Sequence, residues 1–289
     1  MGRPSIAVTG ATGGIGRRVA QQLSVSGQSV RLVVRDPGRA PALDNAGVAI
    51  ASYSDRDALR RAFDGISTLF FVSAAEAVDR LEQHLRVVEA AADAGIARIV
   101  YTSFLGAAPD ATFTLARDHF HTEEHIRDAG LDHTFLRDSL YVDVLPYFVG
   151  DDRVIRAPAG DGRFAPVTRD DVADVASAVL LDPTGHDGRT YDVTGPMLLT
   201  MAHVADALSE ATGRPVAYEA ETIDEAYASR TTYGAPDWEV AGWVSSYAAI
   251  AAGELEVVSD TVERIAGHPP TDLRDWLVAH GDEVQHLQE

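Results

Sequence analysis

Between an apolar run, Ser5 to Thr9, and a segment with helical apolar spacing, Ile15 to Ser26, lies Thr9-Gly10-Ala11-Thr12-Gly13-Gly14-Ile15-Gly16. Glycines at this spacing, set between a strand and a helix, suit the binding of phosphate. Gly10 permits a tight turn, Gly13 lets the backbone approach a pyrophosphate, and Gly16 allows close helix packing, while helix-end amides attract the anion. Gly10, Thr12, Gly13, Gly14, Ile15 and Gly16 are therefore candidate contacts for a dinucleotide. Arg35 and Asp36 follow at the end of the next apolar run, where an adenosine ribose should lie. A guanidinium grips a 2′-phosphate, whereas a carboxylate accepts from a free 2′-hydroxyl and repels a phosphate. Arg35 comes first and the glycine loop brings no other cation before Arg17, so NADP(H) is favoured, with NAD(H) as the alternative.

Such contacts need a scaffold, and the pattern supplies one. Strands are expected at Ser5–Thr9, Ser29–Val34, Val48–Ser52, Ser67–Val72, Arg98–Thr102 and Asp132–Leu136. Between them fall helices at Ile15–Ser26, from the breaker Asp36-Pro37-Gly38 on to about Asn45, after Asp55, at Val78–Ala94 and at Leu115–Ala129. Alternating strands and helices imply an α/β fold with a doubly wound parallel sheet, and near-continuous runs such as Leu69-Phe70-Phe71-Val72 fit strands buried on both faces. After Leu136 come a loop with Pro146 and Gly150, a hairpin around Val154 to Phe164, a helix at Asp170–Leu181 and a strand at Thr190–Val193. Helices at Thr200–Thr212, Asp224–Arg230 and Asp237–Ala252 complete a smaller, mostly helical substrate lobe. The expected division is residues 1–138 for dinucleotide binding, with return segments near 165–195, and 139–289 for the lobe.

Ligands lie beyond the carboxyl ends of parallel strands. That rule nominates Val72, Ser73 and Ala74 after the fourth strand and Thr102 and Ser103 after the fifth as further cofactor contacts. Phe104, Asp138, Tyr141, Tyr147 and Phe164 become candidate substrate contacts, with the rings suited to an aromatic molecule. The string His121-Thr122-Glu123-Glu124-His125 matches a zinc-protease spacing, but at ~100° per residue His121 and His125 are displaced by about 200° from His119 and Glu123. No third ligand is identifiable, so no metal is expected.

The chain has 289 residues, 46% hydrophobic and 24% charged, an ordinary globular composition. Its net charge of −20 disfavours nucleic acid and anionic membrane surfaces. With no cysteine there is no disulfide framework and no thiolate nucleophile, so redox chemistry must come from a cofactor. No apolar run approaches the ~20 residues that span a bilayer, and no signal-like stretch precedes the first strand, so a cytoplasmic protein is expected.

Thr9 to Gly16, Val34-Arg35-Asp36-Pro37, Tyr101-Thr102-Ser103, Thr134-Phe135-Leu136-Arg137 and Ala159-Gly160-Asp161-Gly162 together resemble the NmrA-like atypical short-chain dehydrogenases. The resemblance is strongest toward type 2 NADPH:quinone oxidoreductases and triphenylmethane reductases, and it extends to Gly267-His268-Pro269. It implies a Rossmann-type core, a small substrate lobe and hydride transfer to quinone-like or cationic aromatic acceptors, although other members only sense the dinucleotide. Near relatives often carry Asn where Asp138 stands. Ordinary short-chain dehydrogenases place Tyr-x-x-x-Lys on the helix after the fifth strand, and aligning Glu123 puts His119 at the lysine position and Leu115 at the tyrosine position. Without the phenol, an unactivated ketone lacks its acid, whereas a quinone spreads the arriving charge into its ring. His119 is the candidate catalytic residue, bridging the nicotinamide ribose or donating a proton. The expected activity is an NAD(P)H-dependent reductase of quinones or similar electron-poor aromatics. The alternatives are tailoring of an aromatic polyketide, by reduction or oxygenation, and a non-catalytic NAD(P)-sensing regulator. A homodimer is left open.

Overall fold

Ile6-Ala7-Val8-Thr9 lacks polar alternation because strand β1 (Ile6–Thr9) is buried along its whole length, as a central parallel strand must be. The computed structural model describes residues 5–287. From β1 the chain runs through α1 (Gly14–Val25), β2 (Val30–Val34), β3 (Ala46–Ile50), α2 (Arg56–Ala62), β4 (Thr68–Phe71), α3 (Arg80–Asp93) and β5 (Arg98–Phe104). It continues with α4 (Thr114–Asp128), β6 (Asp132–Asp138), β7 (Val154–Ala157), α5 (Arg169–Leu181) and β8 (Arg189–Val193). The last elements are α6 (Met201–Thr212), β9 (Ala217–Ala220), α7 (Ile223–Arg230), α8 (Asp237–Ala251) and α9 (Leu273–Ala279).

Seven strands form one sheet in the order β3-β2-β1-β4-β5-β6-β8. β1 pairs in parallel with both β2 and β4, β2 with β3, and β4 with β5. The strand order reverses between β1 and β4, which opens a crevice at their carboxyl ends. This is the doubly wound α/β arrangement expected from the alternation of strands and helices.

The chain divides into two compact units. Unit 1 comprises Met1–Phe104, Asp118–Arg137 and Asp170–Tyr191. Its core joins Leu59 and Phe63 beside α2, Leu69 and Phe71 of β4, Val87 and Val88 of α3, and Ile99 and Tyr101 of β5. Asp55 caps α2 by accepting from the Ala58 amide at 2.9 Å, which stabilises such a helix by about 1 kcal/mol. The outer face of α1 is tied to α5. Arg18 donates to Asp170 at 2.5 Å, Gln22 to Asp174 at 2.6 Å, and the Ser177 hydroxyl to Gln22 at 2.5 Å. Unit 2 comprises Leu105–Arg117, Asp138–Arg169 and Asp192–Glu289. It contains α6 to α9 and a two-stranded parallel sheet of β7 and β9. No helix among the described residues is long and apolar enough to cross a membrane.

Three local expectations are corrected. The helical segment expected from the Asp36-Pro37-Gly38 breaker on to about Asn45 is reduced to a single turn, Pro37–Arg39, because Pro41 has no amide with which to continue it. The third strand starts and ends two residues early, at Ala46–Ile50. It is an edge strand whose Val48 and Ile50 are 49% and 62% exposed, so apolar residues there did not mark burial. The hairpin around Val154–Phe164 does not form. β7 instead pairs with the distant β9, and Phe164 bridges to Leu199. Gly162 in the intervening turn packs so tightly that a Cβ would stand 2.3 Å from the Ile250 carbonyl oxygen.

Candidate functional site

Gly10 follows β1 with φ +61°, a conformation that glycine adopts without strain. A Cβ on it would lie 2.9 Å from Cβ of Val72. At Gly16 a Cβ would meet the carbonyl oxygens of Gly10 and Thr9 at 2.4 and 2.7 Å, so α1 rests directly on the turn. Gly13 stands at the N-cap of α1 with no side-chain bond, and Gly13 and Gly14 are exposed while Ile15 and Gly16 are buried. First-turn amides of a helix lack intrahelical acceptors and carry partial positive charge. The turn is therefore an open cradle for an anion.

A cavity of about 250 Å³ adjoins this cradle within unit 1. Gly10 and Thr12 of the turn line it, with Arg35 after β2, Ser52 and Tyr53 beyond β3, and Ser73 to Ala77 with Gln83 beyond β4. The Asp36 carboxylate accepts from the Gly38 amide at 2.9 Å and caps the Pro37–Arg39 turn, outside the residues that line the cavity. Arg35 is thus the charged group that the β2 end contributes to the cavity lining. Tyr53 donates its hydroxyl to the Val72 carbonyl at 2.7 Å, and burial pushes its phenol above the usual tyrosine range.

The predicted contacts separate into lining and support. Gly10, Thr12, Arg35, Ser73 and Ala74 line the cavity. Val72 packs beneath Gly10. Its amide donates to the Thr9 hydroxyl at 2.9 Å, and that hydroxyl donates in turn to the Phe70 carbonyl at 3.2 Å. Thr102 is buried and accepts from the Ser73 amide at 2.9 Å. Ser103, also buried, donates at 2.6 Å to Glu123, whose fully buried carboxylate accepts two bonds from Arg137 at 2.9 and 2.7 Å.

His119 is 5% exposed. Arg80 donates to its Nε2 at 2.8 Å, and its Nδ1 lies 2.9 Å from the Tyr101 hydroxyl. Guanidinium nitrogens cannot accept, so Nε2 is the acceptor and the neutral ring carries its proton on Nδ1. Burial, with the Arg80 charge beside it, drives the His119 pKa well below the ordinary histidine value. A neutral ring with both nitrogens engaged inside unit 1 does not fit the proton-donor role expected of it. Among the described residues, neither His121 nor His125 belongs to a group of acidic and histidine side chains close enough together to hold a metal. Phe104 is partly buried, its ring centroid 6.2 Å from that of His119.

The remaining candidates belong to unit 2. Asp138 is buried and accepts from the Tyr141 hydroxyl at 2.9 Å, while its other oxygen has no partner among the described residues. Burial raises its pKa well above the usual carboxylate value. Arg169 stacks over Tyr141 at 4.6 Å. Tyr147 is 64% exposed and stacks on His286. Phe164 is fully buried, a core residue and not an open aromatic platform.

Sequence reasoning missed Ser52, Tyr53 and Gln83 in the lining. The carboxyl-end rule applied to β3 would have found the first two, but the two-residue misplacement of that strand absorbed Ser52 into it.

A family model described as NAD(P)H-binding matches residues 10–183. Quinone oxidoreductase 2 of Escherichia coli is 33% identical over 279 residues, covering 93% of this chain and 96% of that protein. The structure of an NADPH-dependent quinone oxidoreductase from Escherichia coli complexed with NADPH superposes with a TM-score of 0.87 at 32% identity, covering 95% of this chain and 99% of that one. Triphenylmethane reductase of Citrobacter sp., complexed with NADP(H), superposes with a TM-score of 0.84 at 31% identity, covering 98% and 99% of the two chains.

Proposed function

Because the chain belongs to the NAD(P)H-binding family, among its NmrA-like atypical short-chain dehydrogenases, we propose that it is an NAD(P)H-dependent reductase of quinones and similar electron-poor aromatic molecules. The residues of unit 1 fit the cofactor. The glycine cradle admits no Cβ at Gly16, and the uncapped start of α1 faces outward where a pyrophosphate would be held. Arg35, which lines the cavity where Asp36 does not, would hold the 2′-phosphate, which favours NADP(H) over NAD(H). When bound, the dinucleotide supplies the hydride. The chain's part is to bind and orient it.

The reading is carried by that cradle, joined with the engagement of two candidate proton donors of unit 1. Tyr53 spends its hydroxyl on the Val72 carbonyl, and His119 is held neutral against Arg80. An acceptor that stabilises its own negative charge needs no positioned proton donor, and a quinone is such an acceptor. Phe104, Asp138, Tyr141 and Tyr147 remain the proposed contacts for it.

Purified protein, NADPH and a panel of quinones provide the test, read as loss of reduced-nicotinamide absorbance. Turnover is expected. Dinucleotide binding without turnover of any quinone would overturn the enzymatic reading in favour of a sensor, and a product carrying added oxygen would point to aromatic tailoring instead.

A further inference from the structure

Beyond β4 the chain leaves the sheet, yet its peptide groups remain bonded, to side chains. The Val72 carbonyl accepts from Tyr53, and the Ser73 amide donates to Thr102. At Ala74 both halves of the residue are held: its amide donates to Nε2 of His84 at 2.8 Å, and its carbonyl accepts from Nε of Arg80 at 3.0 Å. His84 is fully buried and Arg80 is 4% exposed. Resting on the reading that the adjoining cavity takes a dinucleotide, we infer that His84 and Arg80 are positioning residues, clamping the Ala74 peptide so that the Ser73–Ala77 wall is held in its binding shape.

The donors fix the chemistry. A backbone amide can only donate, so Nε2 of His84 accepts and its proton sits on Nδ1, which donates to the Thr122 hydroxyl at 2.8 Å. Thr122 in turn donates to the Asp118 carbonyl at 2.6 Å. Arg80 completes the network through the Asp118 carboxylate at 3.2 Å and Nε2 of His119 at 2.8 Å. Around His84 stand Phe71 from β4, Tyr101 from β5, and Thr122 and His119 from α4. Burying a guanidinium and two imidazoles among these rings gains no stability over an apolar filling of equal volume. What an apolar filling could not do is bond the Ala74 peptide. A wall left free to sample other shapes lowers apparent affinity in proportion to the time spent in them.

Two amide variants separate positioning from packing. The Gln side chain reaches where Nε2 lies, so His84→Gln keeps an acceptor for Ala74. Asn reaches only where Nδ1 lies, so His84→Asn loses it. Titration calorimetry with NADP⁺ at neutral pH should find His84→Gln within about twofold of wild type and His84→Asn roughly tenfold weaker. Melts run alongside show whether both are folded. Equal affinities for the two folded variants would overturn the inference. Should His84→Asn not fold, nitrogen-15 NMR of the wild-type ring decides instead: a proton on Nδ1 is expected, and one on Nε2 refutes the clamp. Wild-type protein that binds neither NADP⁺ nor NAD⁺ would remove the dinucleotide reading itself, a result distinct from unequal or equal variants.

Discussion

Replacing Asp138 by Asn should stabilise unit 2 at neutral pH, by an amount that grows with pH. Asp138 is 1% exposed, one oxygen accepts from Tyr141 at 2.9 Å, and the other has no partner among the described residues. Burial therefore raises its pKa well above the ordinary carboxylate value. Below that value the folded and unfolded chains both hold the proton. Above it the unfolded chain ionises while the folded one keeps its proton, so the native state binds more protons and stability falls as pH rises. The slope is about 1.4 kcal/mol per pH unit until the native carboxyl ionises too. Asparagine has no proton to lose. Its oxygen can accept from Tyr141, and its amide takes the place of the unpartnered oxygen at a cost that is the same at every pH. By neutral pH the gap should have widened by about 1.4 kcal/mol for each unit by which burial lifts the native pKa above the ordinary carboxylate value. Thermal melts of both proteins from about pH 4 to neutrality measure it, at roughly 2–4 °C per kcal/mol. A gap that is constant across this range, or one that shrinks as pH rises, would refute the reasoning.

Other perturbations address unit 1. Gly16→Ala places a methyl 2.4 Å from the Gly10 carbonyl oxygen, so it should cost on the order of 3 kcal/mol and abolish dinucleotide binding; unchanged affinity by calorimetry would show that α1 does not rest on the turn. Arg35→Ala should weaken NADP⁺ by roughly tenfold or more, the loss of a charge-assisted phosphate bond, and leave NAD⁺ alone. Equal weakening of both would count against the 2′-phosphate assignment. His84 and His119 are held neutral by burial next to Arg80, which drives their pKa values well below the ordinary histidine value. The unfolded chain takes up these protons first, so the stability they contribute is present above about pH 6.5 and is lost as pH falls toward their folded values. Denaturant titrations of wild type and His119→Gln should show the shallower acid limb in the variant; identical limbs would exclude His119 as a source.

The doubly wound core was legible because its signals are local and redundant: a glycine turn set between strand and helix, caps such as Asp55, and strands like Leu69 to Phe71 with no polar face. Gly10 and Thr12 of the cavity lining followed from the glycine turn, and Arg35, Ser73 and Ala74 from the strand ends. What stayed hidden depended on distant pairing. Nothing near Val154 announces Ala217 as its partner, and Val48 and Ile50 look like core although they lie on an edge strand. The neutral, doubly engaged state of His119 was not legible, because alignment places a residue on a helix face but does not reveal Arg80 waiting across from it. Arg80 and His84 were themselves invisible, since a charged side chain at the start of a helix and a histidine one turn later usually face water.

The ties from α1 to α5 bear on how the polypeptide is made. Arg18 and Asp170 are 152 positions apart, and Gln22 and Ser177 are 155 apart. During vectorial synthesis the phosphate-binding turn leaves the ribosome long before the groups that steady the helix behind it. Nascent chains halted ahead of Arg169 would carry the turn without its buttress.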